Sequence, residues 1–218
     1  MIPHLDTVLC SLDGFGSNHD RLRGVEGLFE RAVEGIKVAR NKPGMRVKMW
    51  VSVHRENLDD LESIAQLARD LGVWAEYFPV AHIPGHNDTI VLDADGLKCA
   101  FERVLQLKRV GYPVWNSERS LIKVRDSRPL RCNFGRIALQ VDCTGHVHSC
   151  EAPDGTPLHP WGRYDQVDWK ALFASDLFAS ARDQLSNCGL CKLPCVVELS
   201  DGLLAAYAEM FWQSVTKN

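Results

Sequence analysis

Cysteine is the residue type whose spacing most directly indicates chemistry in this chain, which has eight cysteines among 218 residues. Cys188 and Cys191 form a Cys-x2-Cys pair, and Cys195 follows within the same short segment. Cys132 and Cys150 flank a predicted β-hairpin, which would bring them together. A hairpin pair meeting a Cys-x2-Cys pair is typical of a four-thiolate metal centre. We predict ligation by Cys132, Cys150, Cys188 and Cys191, with Cys195 as the next candidate, and spacing alone leaves zinc and an iron–sulfur cluster open.

The other groups that could bind a metal or a proton give weaker signals. Cys10 lies in a predicted strand and Cys99 in a predicted helix, and both are expected to be buried, because free cysteine is among the most buried residue types. His146 and His148 share one face of a predicted strand, where exposure to solvent is the simpler interpretation and ligand contact the alternative. The sequence has no Walker loop, no Gly-x-Ser-x-Gly elbow and no complete Gly-x-Gly-x-x-Gly. No catalytic nucleophile is therefore assigned.

Composition excludes several classes of protein. The chain is 45% hydrophobic and 24% charged, as globular proteins are. Its net charge of −3 gives no electrostatic footprint for nucleic acid. No apolar run approaches the roughly 18 to 20 residues of a membrane helix, and no secretory leader is visible, so we expect a cytoplasmic protein without a membrane partner. Eight cysteines in that setting favour metal binding over disulfides.

Alternating strands and helices position the polar side chains of the first half. The pattern predicts strands near 5–12, 46–53 and 73–78, with amphipathic helices near 25–36 and 58–71 between them and another near 95–110. Asn57 is a candidate N-cap for the second helix. Strand–helix–strand repeats of this length predict a parallel sheet. Since sheets commonly have about 4 to 6 strands, we expect further strands to lie outside this chain.

The second half has a different pattern. Strands near 137–141 and 146–149 flank Asp142-Cys-Thr-Gly145, a hairpin signal in which glycine supplies the positive φ. Two short helices are predicted near 169–174 and 176–185, and a final amphipathic helix near 198–214. This order predicts a small α+β module that gathers the cysteines.

Motifs along nearly the whole chain resemble radical S-adenosylmethionine (AdoMet) enzymes, in particular members with a C-terminal SPASM or Twitch module. In the first half they are Ser11-Leu-Asp13-Gly14, His19-Asp20, Arg23-Gly24, Phe29, Val51-Ser-Val53 with Asn57, and Phe78-Pro-Val80. In the second half they are Cys132-Asn-Phe-Gly135, Val141-Asp142, Gly145-His-Val147, Cys150, and Cys188-x2-Cys191-x3-Cys195-Val-Val-Glu198. The resemblance implies an α/β fold: the C-terminal part of a partial (β/α)6 TIM-like barrel over residues 1–125, then a small α+β Twitch/SPASM-like module with a β-hairpin and a Cys-rich loop over 126–218.

The resemblance also implies cofactors, site residues and partners. Ser11 matches a strand serine that contacts AdoMet, and Arg23 matches an arginine that approaches the AdoMet carboxylate. Asp13 and Asn57 occupy neighbouring family positions, although turn chemistry and helix capping explain them equally well. An auxiliary [4Fe-4S] cluster is favoured over zinc for the cysteines. The implied partners are a small-molecule or peptide substrate and an electron donor such as flavodoxin or ferredoxin.

One departure from the family pattern limits the expected activity. The family holds its radical-generating cluster with Cys-x3-Cys-x2-Cys, and this sequence has no such motif. The complete enzyme is expected to form a 5′-deoxyadenosyl radical that abstracts hydrogen from a substrate. We expect this chain alone not to cleave AdoMet, the missing half-barrel lying upstream or on a partner. The alternative is a non-enzymatic α/β binding or assembly module held together by a four-thiolate zinc ion.

Overall fold

The computed structural model describes residues 5–128, 131–136, 138–152, 154–188 and 197–198. The described chain divides into two compact units, residues 5–80 with 87–127 and residues 81–86 with those from 128 onward. In the first unit the elements are, in order, β1 (Thr7–Ser11), α1 (Ser17–Arg23), α2 (Leu28–Arg40), β2 (Arg46–Val53), α3 (Leu61–Leu71), β3 (Trp74–Pro79), α4 (Ala94–Arg109) and α5 (Glu118–Arg125). In the second they are β4 (Gln140–Val141), β5 (His146–Glu151), β6 (Pro157–Arg163), α6 (Trp169–Ala174) and α7 (Asp176–Ser186).

The first unit is built on a parallel sheet with the order β1-β2-β3. Ser11 aligns with Trp50, and Ser52 aligns with Phe78. Helices α1 and α2 lie between β1 and β2 in the chain, and α3 lies between β2 and β3. The strand predicted at 46–53 has the same bounds as β2. An isolated parallel bridge between Ala75 and Val114 continues the sheet beyond β3.

The two faces of this sheet differ in chemistry. Along β2 the buried residues alternate with half-exposed ones, starting at Val47. The buried face joins the apolar sides of α2 and α3 in one core, which is how an α/β unit buries its apolar surface. Its members include Ile36, Val47, Met49, Val51, Val53, Ile64, Ala65 and Ala68. The opposite face carries Lys48 and Trp50 on β2 and, in register with Trp50, Glu76 on β3.

The helical side of the first unit differs from prediction at Cys99. Helix α4 begins at the N-cap Asp93, whose carboxylate accepts the Gly96 N–H at 2.8 Å. Its apolar side, including Phe101 and Leu105, is buried. Cys99 is exposed. The prediction that Cys99 is buried is therefore wrong, because its helix turns that position to solvent.

The second unit contains an antiparallel sheet with the order β4-β5-β6. β4 and β5 form the expected hairpin, and Gly145 at its turn has φ 84°. β6, which the sequence pattern did not predict, pairs with β5 through an irregular register beside Val147 and His148. His148 is 1% exposed, so the prediction of an exposed histidine there is wrong, since β6 continues the sheet beyond it. The predicted helix near 198–214 lies almost wholly outside the described residues.

Two short helices complete the second unit. Asp168 caps α6 by accepting the Ala171 N–H at 3.0 Å, and Ser175 caps α7 by accepting the Phe178 N–H at 3.1 Å. Among the described helices of both units, none is long and apolar enough to cross a membrane.

Candidate functional site

The carboxyl ends of β1 and β2 meet at a buried carboxylate, that of Asp13. Its Oδ1 accepts the Ser52 N–H at 2.8 Å, and its Oδ2 is paired with the guanidinium of Arg23. Asp13 is buried, and Ser52 lies 39 residues further along the chain. The side chain of Asp13 therefore ties the loop after β1 to the end of β2 and to helix α1.

Glycine at position 14 lets this loop approach helix α1 closely. A Cβ at Gly14 would lie 2.7 Å from the backbone nitrogen of His19. Since real Cβ atoms do not come so near to backbone atoms, a larger residue here would push the loop off the helix. The Asp13-Gly14 sequence thus sets the distance between the buried carboxylate and the first turn of α1.

Arg23 lies in the last turn of α1, and its side chain is more exposed than that of its ion-pair partner Asp13. Its side chain is 38% exposed, whereas that of Asp13 is 10% exposed. A guanidinium has five N–H donors in a rigid fork, so the contact with Asp13 leaves donors available. The geometry thus holds a positive charge at the edge of the sheet where parallel strands end.

Asn57 joins the loop that carries Asp13 to the end of β2 through hydrogen bonds of its side chain. Its side-chain amide donates to the carbonyl oxygens of Asp13 and Ser52, both at 2.7 Å, and its Oδ1 accepts the His54 N–H at 2.9 Å. It is not the helix N-cap that the sequence predicted, because the N-cap of this 3-10 turn (Arg55–Asp60) is His54. Both amide hydrogens are used within the fold, so the amide nitrogen has no donor left for a cofactor. The predicted cofactor contact of Asn57 stays a prediction.

Two buried histidines flank the carboxylate, and sequence reasoning assigned a role to neither. His19 is 1% exposed, and its Nδ1 accepts the Asp13 N–H at 3.2 Å. His54 is also buried, and its Nδ1 accepts the Glu56 N–H at 3.3 Å. Burial lowers the pKa of both imidazoles below the usual value, with the Asp13 carboxylate acting in the opposite direction. Both rings are therefore neutral near pH 7.

The His19 ring leaves one group unsatisfied. Since its Nδ1 accepts a hydrogen bond, the neutral ring carries its proton on Nε2, a tautomer assigned from the bonding pattern. That Nε2 is buried and finds no hydrogen-bond partner among the described residues. The motif His19-Asp20 was visible in the sequence, but nothing local to it indicated burial.

Ser11 is not part of the hydrogen-bonded group formed by Asp13, Arg23, Asn57 and the two histidines. It is the last residue of β1, it is exposed, and it shares the sheet face of its register partner Trp50. Its predicted contact with AdoMet stays a prediction.

Cys132 and Cys188, two of the predicted metal ligands, lie side by side in the second unit. Helix α7 positions them, because the Ser186 carbonyl accepts the Cys132 N–H at 3.3 Å and the Leu185 carbonyl accepts the Cys188 N–H at 3.0 Å. Burial raises the pKa of the Cys132 thiol, and the adjacent Cys188 acts in the same direction.

Backbone amides oppose that rise. The N–H groups of Phe134 and Gly135 donate towards the Cys132 sulfur and lower its pKa. Amides directed at a buried sulfur stabilise its thiolate form, which is the form that ligates a metal. The donor set of this pair therefore fits two positions of a thiolate centre.

The remaining predicted ligands do not join the pair within the described residues. Cys150 lies on β5, and its thiol donates to the Glu151 carbonyl at 3.6 Å. No group of three or more Cys, His, Asp or Glu side chains is arranged to hold a metal ion in the part of the chain that the structure describes. Cys191 and Cys195 lie outside the described residues.

Comparison with known proteins finds partial relatives, and no family model matches the chain. The chain is 31% identical over 78 residues to pre-heme d1 synthase from Dinoroseobacter shibae, which covers 36% of this chain and 19% of that protein. It is 34% identical over 98 residues to AdoMet-dependent heme synthase from Methanosarcina barkeri, which covers 44% of this chain and 26% of that protein. The chain thus matches only about a fifth to a quarter of the length of these two relatives.

Proposed function

We propose that this chain is part of a radical AdoMet enzyme, in which the first unit contributes to AdoMet binding and the second holds an auxiliary [4Fe-4S] cluster. The partial match to a protein named AdoMet-dependent heme synthase supports the cofactor. The motif resemblance, with Ser11 and Arg23 at matching positions, points to the same family.

The observation that carries the AdoMet assignment is the fixed guanidinium of Arg23. Ligands of α/β folds bind beyond the carboxyl ends of parallel strands, and Arg23 lies at that edge with donors to spare. A carboxylate such as that of AdoMet is the natural partner for a planar guanidinium. In this proposal Ser11 and Arg23 contact the cofactor, while Asp13 and Asn57 are positioning residues.

The unequal faces of the parallel sheet support a barrel segment. Helices bury one face, while the other keeps Leu9 46% exposed and carries the Lys48–Glu76 ion pair, with Nζ and Oε2 2.6 Å apart. In a closed barrel the helices lie outside and the second face lines the interior. We propose that the face bearing Ser11, Lys48 and Trp50 lines the interior of a partial (β/α)6 barrel completed by strands from outside this sequence.

Binding of AdoMet and its cleavage are expected to need different parts of the complete enzyme. A reduced [4Fe-4S] cluster held by Cys-x3-Cys-x2-Cys supplies the electron that cleaves AdoMet in this family, and this sequence lacks that motif. We therefore expect no 5′-deoxyadenosine from the chain by itself, whereas the expected binding of AdoMet rests on Arg23. In the complete enzyme we propose flavodoxin or ferredoxin as the electron donor.

The test of the AdoMet site is calorimetric titration of the chain with AdoMet. Arg23→Gln should weaken binding about tenfold or more, because a hydrogen bond to a charged group contributes about 1.5–3 kcal/mol. Arg21→Gln is the matched control on the same helix, since Arg21 is exposed and paired with Glu56 instead of Asp13. Equal affinity of the Arg23→Gln variant and the unsubstituted chain would refute the assignment.

The cluster assignment rests on the adjacent thiols of Cys132 and Cys188, to which we propose that two of Cys150, Cys191 and Cys195 are added. When bound, an iron–sulfur cluster would supply a redox centre whose potential depends on burial and on N–H groups directed at sulfur. The Phe134 and Gly135 amides would provide two such groups. A zinc ion would use the same pair of thiolates and gives the alternative, a non-enzymatic binding module.

Metal and acid-labile sulfide analysis after anaerobic purification separates these alternatives. We expect iron and sulfide in near-equal amounts, and Cys132→Ser or Cys188→Ser should remove most of both. Cys99→Ser, at an exposed helical position in the other unit, should leave them unchanged. Stoichiometric zinc without sulfide would establish the zinc-stapled module instead.

A further inference from the structure

The second unit contains a cavity whose side chains have no part in the cluster or the AdoMet assignment. Its volume is about 400 Å³, within the roughly 300–1,000 Å³ typical of small-molecule sites. One wall is the segment around Gly135 and Arg136, and the other is formed by side chains of α6 and α7. The cavity lies wholly within one compact unit.

Aromatic rings give this cavity an apolar wall. Phe173 and Phe178 both line it, with ring centroids 5.2 Å apart in an edge-to-face arrangement. The Trp161 ring packs edge-to-face against the Phe178 ring, with centroids 5.7 Å apart. Phe173 is 53% exposed although it belongs to this cluster. An exposed ring beside a cavity is a ready contact for a planar apolar group.

Two arginines give the same cavity a positive charge. Arg136 and Arg182 line it, and no carboxylate is among its described lining residues. Arg182 lies over the Phe178 ring, with Cζ 5.3 Å from the centroid. Neither guanidinium is ion-paired with a carboxylate in the described part of the chain. Acidic residues of the same helix, Asp176 and Asp183, lie outside the lining.

We propose that this cavity binds a small amphipathic carboxylate, with the anion held by Arg136 and Arg182 and the apolar body packed on Phe173 and Phe178. A neutral or cationic ligand would leave two unpaired guanidiniums beside it, and a small inorganic anion would leave the aromatic wall unused. Planar guanidiniums match carboxylates in geometry as well as in charge. The proposal goes beyond the proposed AdoMet and cluster functions, although the Gly135 segment and helix α7, which form the cavity, also position Cys132 and Cys188.

Titration calorimetry of the full chain with 2-naphthoate tests the proposal, with the neutral 2-naphthalenemethanol as the second probe. Saturable binding of 2-naphthoate is expected, and 2-naphthalenemethanol should bind about tenfold more weakly, which is the ratio that corresponds to one charge-assisted hydrogen bond. Arg136→Gln and Arg182→Gln should each weaken naphthoate binding about tenfold and leave binding of the alcohol unchanged. Phe173→Ala should weaken both probes.

Lys170→Gln is the matched control, because Lys170 is a cation of α6 that does not line the cavity. It should change naphthoate affinity by less than about twofold, as expected of a solvent-screened charge. The unchanged affinity of the arginine variants for the alcohol shows at the same time that they are folded. Non-saturable binding, unaltered affinity in both arginine variants, or an equal loss in Lys170→Gln would each overturn the proposal.

Discussion

The described residues of the two units include very different numbers of buried apolar side chains. Of the 29 buried apolar residues among those described, 23 belong to the first unit and six to the second. The first unit has a continuous core between its sheet and helices, with Phe101, Leu61 and Met49 fully enclosed. The six in the second unit are Cys132, Val147, Phe178, Ala181, Leu185 and Val197.

The difference indicates two sources of stability. Burial of apolar surface stabilises a unit of the first kind by itself. Few apolar side chains are buried among the described residues of the second unit, and none of the six described cysteines is in a disulfide. Ligation of the proposed metal would add stability there, since metal binding is coupled to folding. We infer that metal ligation by thiolates, including Cys132 and Cys188, supplies much of the stability of the second unit.

Metal removal should have the largest effect, and it should fall on the second unit alone. We expect chelation under reducing conditions to abolish amide protection in β5, β6 and α7, because metal binding and folding are coupled where the core is small. Peptide-resolved hydrogen exchange follows both units in one experiment. Protection in β2 and α4 of the first unit should be unchanged and serves as the internal control. Persistent protection of the second unit after complete metal loss would contradict the comparison.

Truncation of a core side chain should destabilise the first unit and leave the second unit unchanged. Phe101 is fully buried on α4, and Phe101→Ala should lower the free energy of unfolding of the first unit by about 3–5 kcal/mol through lost burial and a cavity. Hydrogen exchange in the second unit should not change, since Phe101 belongs to the other core. Urea titration read by exchange in β2 measures the effect.

The matched control for this truncation is Val38→Ala on α2. Val38 is 67% exposed, so its truncation should change the free energy of unfolding by less than about 0.5 kcal/mol. A comparable loss in both variants would mean that burial at position 101 is not what stabilises the first unit.

Strong periodicity made some elements predictable from sequence. β2 alternates buried and half-exposed residues over its whole length, and α4 keeps one apolar side over sixteen residues. Helix α1 was missed because its N-cap is Gly16 at φ 56°, within a segment typical of a turn. β6 was missed because Pro157 and Pro160 argue against a strand, and the structure accommodates them next to an irregular register.

The candidate site was predictable where a motif was local and unpredictable where it depended on the tertiary fold. The types and order of Asp13 and Arg23 were visible in the sequence. The hairpin pair and the Cys-x2-Cys pair placed Cys132 and Cys188 in one predicted ligand set; the fold brings both to the end of α7, and the ligand set itself stays a prediction. The hydrogen bond from Ser52 to Asp13 could not be foreseen, because it joins two strand ends that meet only in the folded sheet. The burial of His19 and His54 follows from the same long-range contact.

Loss of the buried carboxylate should have a moderate effect on the first unit. Asp13→Ala leaves the Ser52 N–H without its acceptor and Arg23 without its partner, at a cost of about 1–3 kcal/mol in the free energy of unfolding. Asp13→Asn keeps an acceptor for Ser52 and should cost less. Urea titration of both variants measures the difference.

An aspartate of the second unit gives the control. At the hairpin turn Asp142 accepts the Thr144 hydroxyl at 2.7 Å and the N–H groups of His146 and Thr144 at 2.9 and 2.8 Å, and these bonds lower its pKa to about 2. Water can replace hydrogen bonds at this exposed site, so Asp142→Ala should destabilise its unit less than Asp13→Ala destabilises the first. A larger loss of stability in Asp142→Ala than in Asp13→Ala would show that the hairpin turn contributes more to the stability of the second unit than the comparison predicts.

The smallest expected effect is the pH dependence that two buried histidines give the first unit. His19 and His54 have folded-state pKa values below those of the unfolded chain. On acidification the unfolded chain therefore takes up protons before the folded chain does, and stability falls as the pH drops below about 6.5. The slope is at most about 1.4 kcal/mol per pH unit for each histidine. Urea titrations at pH 7.5, 6.5 and 5.5 measure it through exchange in β2.

Replacement of the histidines separates their contribution from that of other groups. Asp20 and Glu102 have lowered pKa values and titrate below this pH range, and Cys10 has a raised pKa and titrates above it. His19→Gln and His54→Gln should therefore each reduce the slope between pH 7.5 and 5.5, although each variant is less stable at neutral pH. An unchanged slope in both variants would mean that the imidazoles take up protons in the folded state as readily as in the unfolded one. The buried group of side chains around Asp13 would then be open to water, and the proposed contrast between a closed first unit and a metal-dependent second unit would lose its electrostatic support.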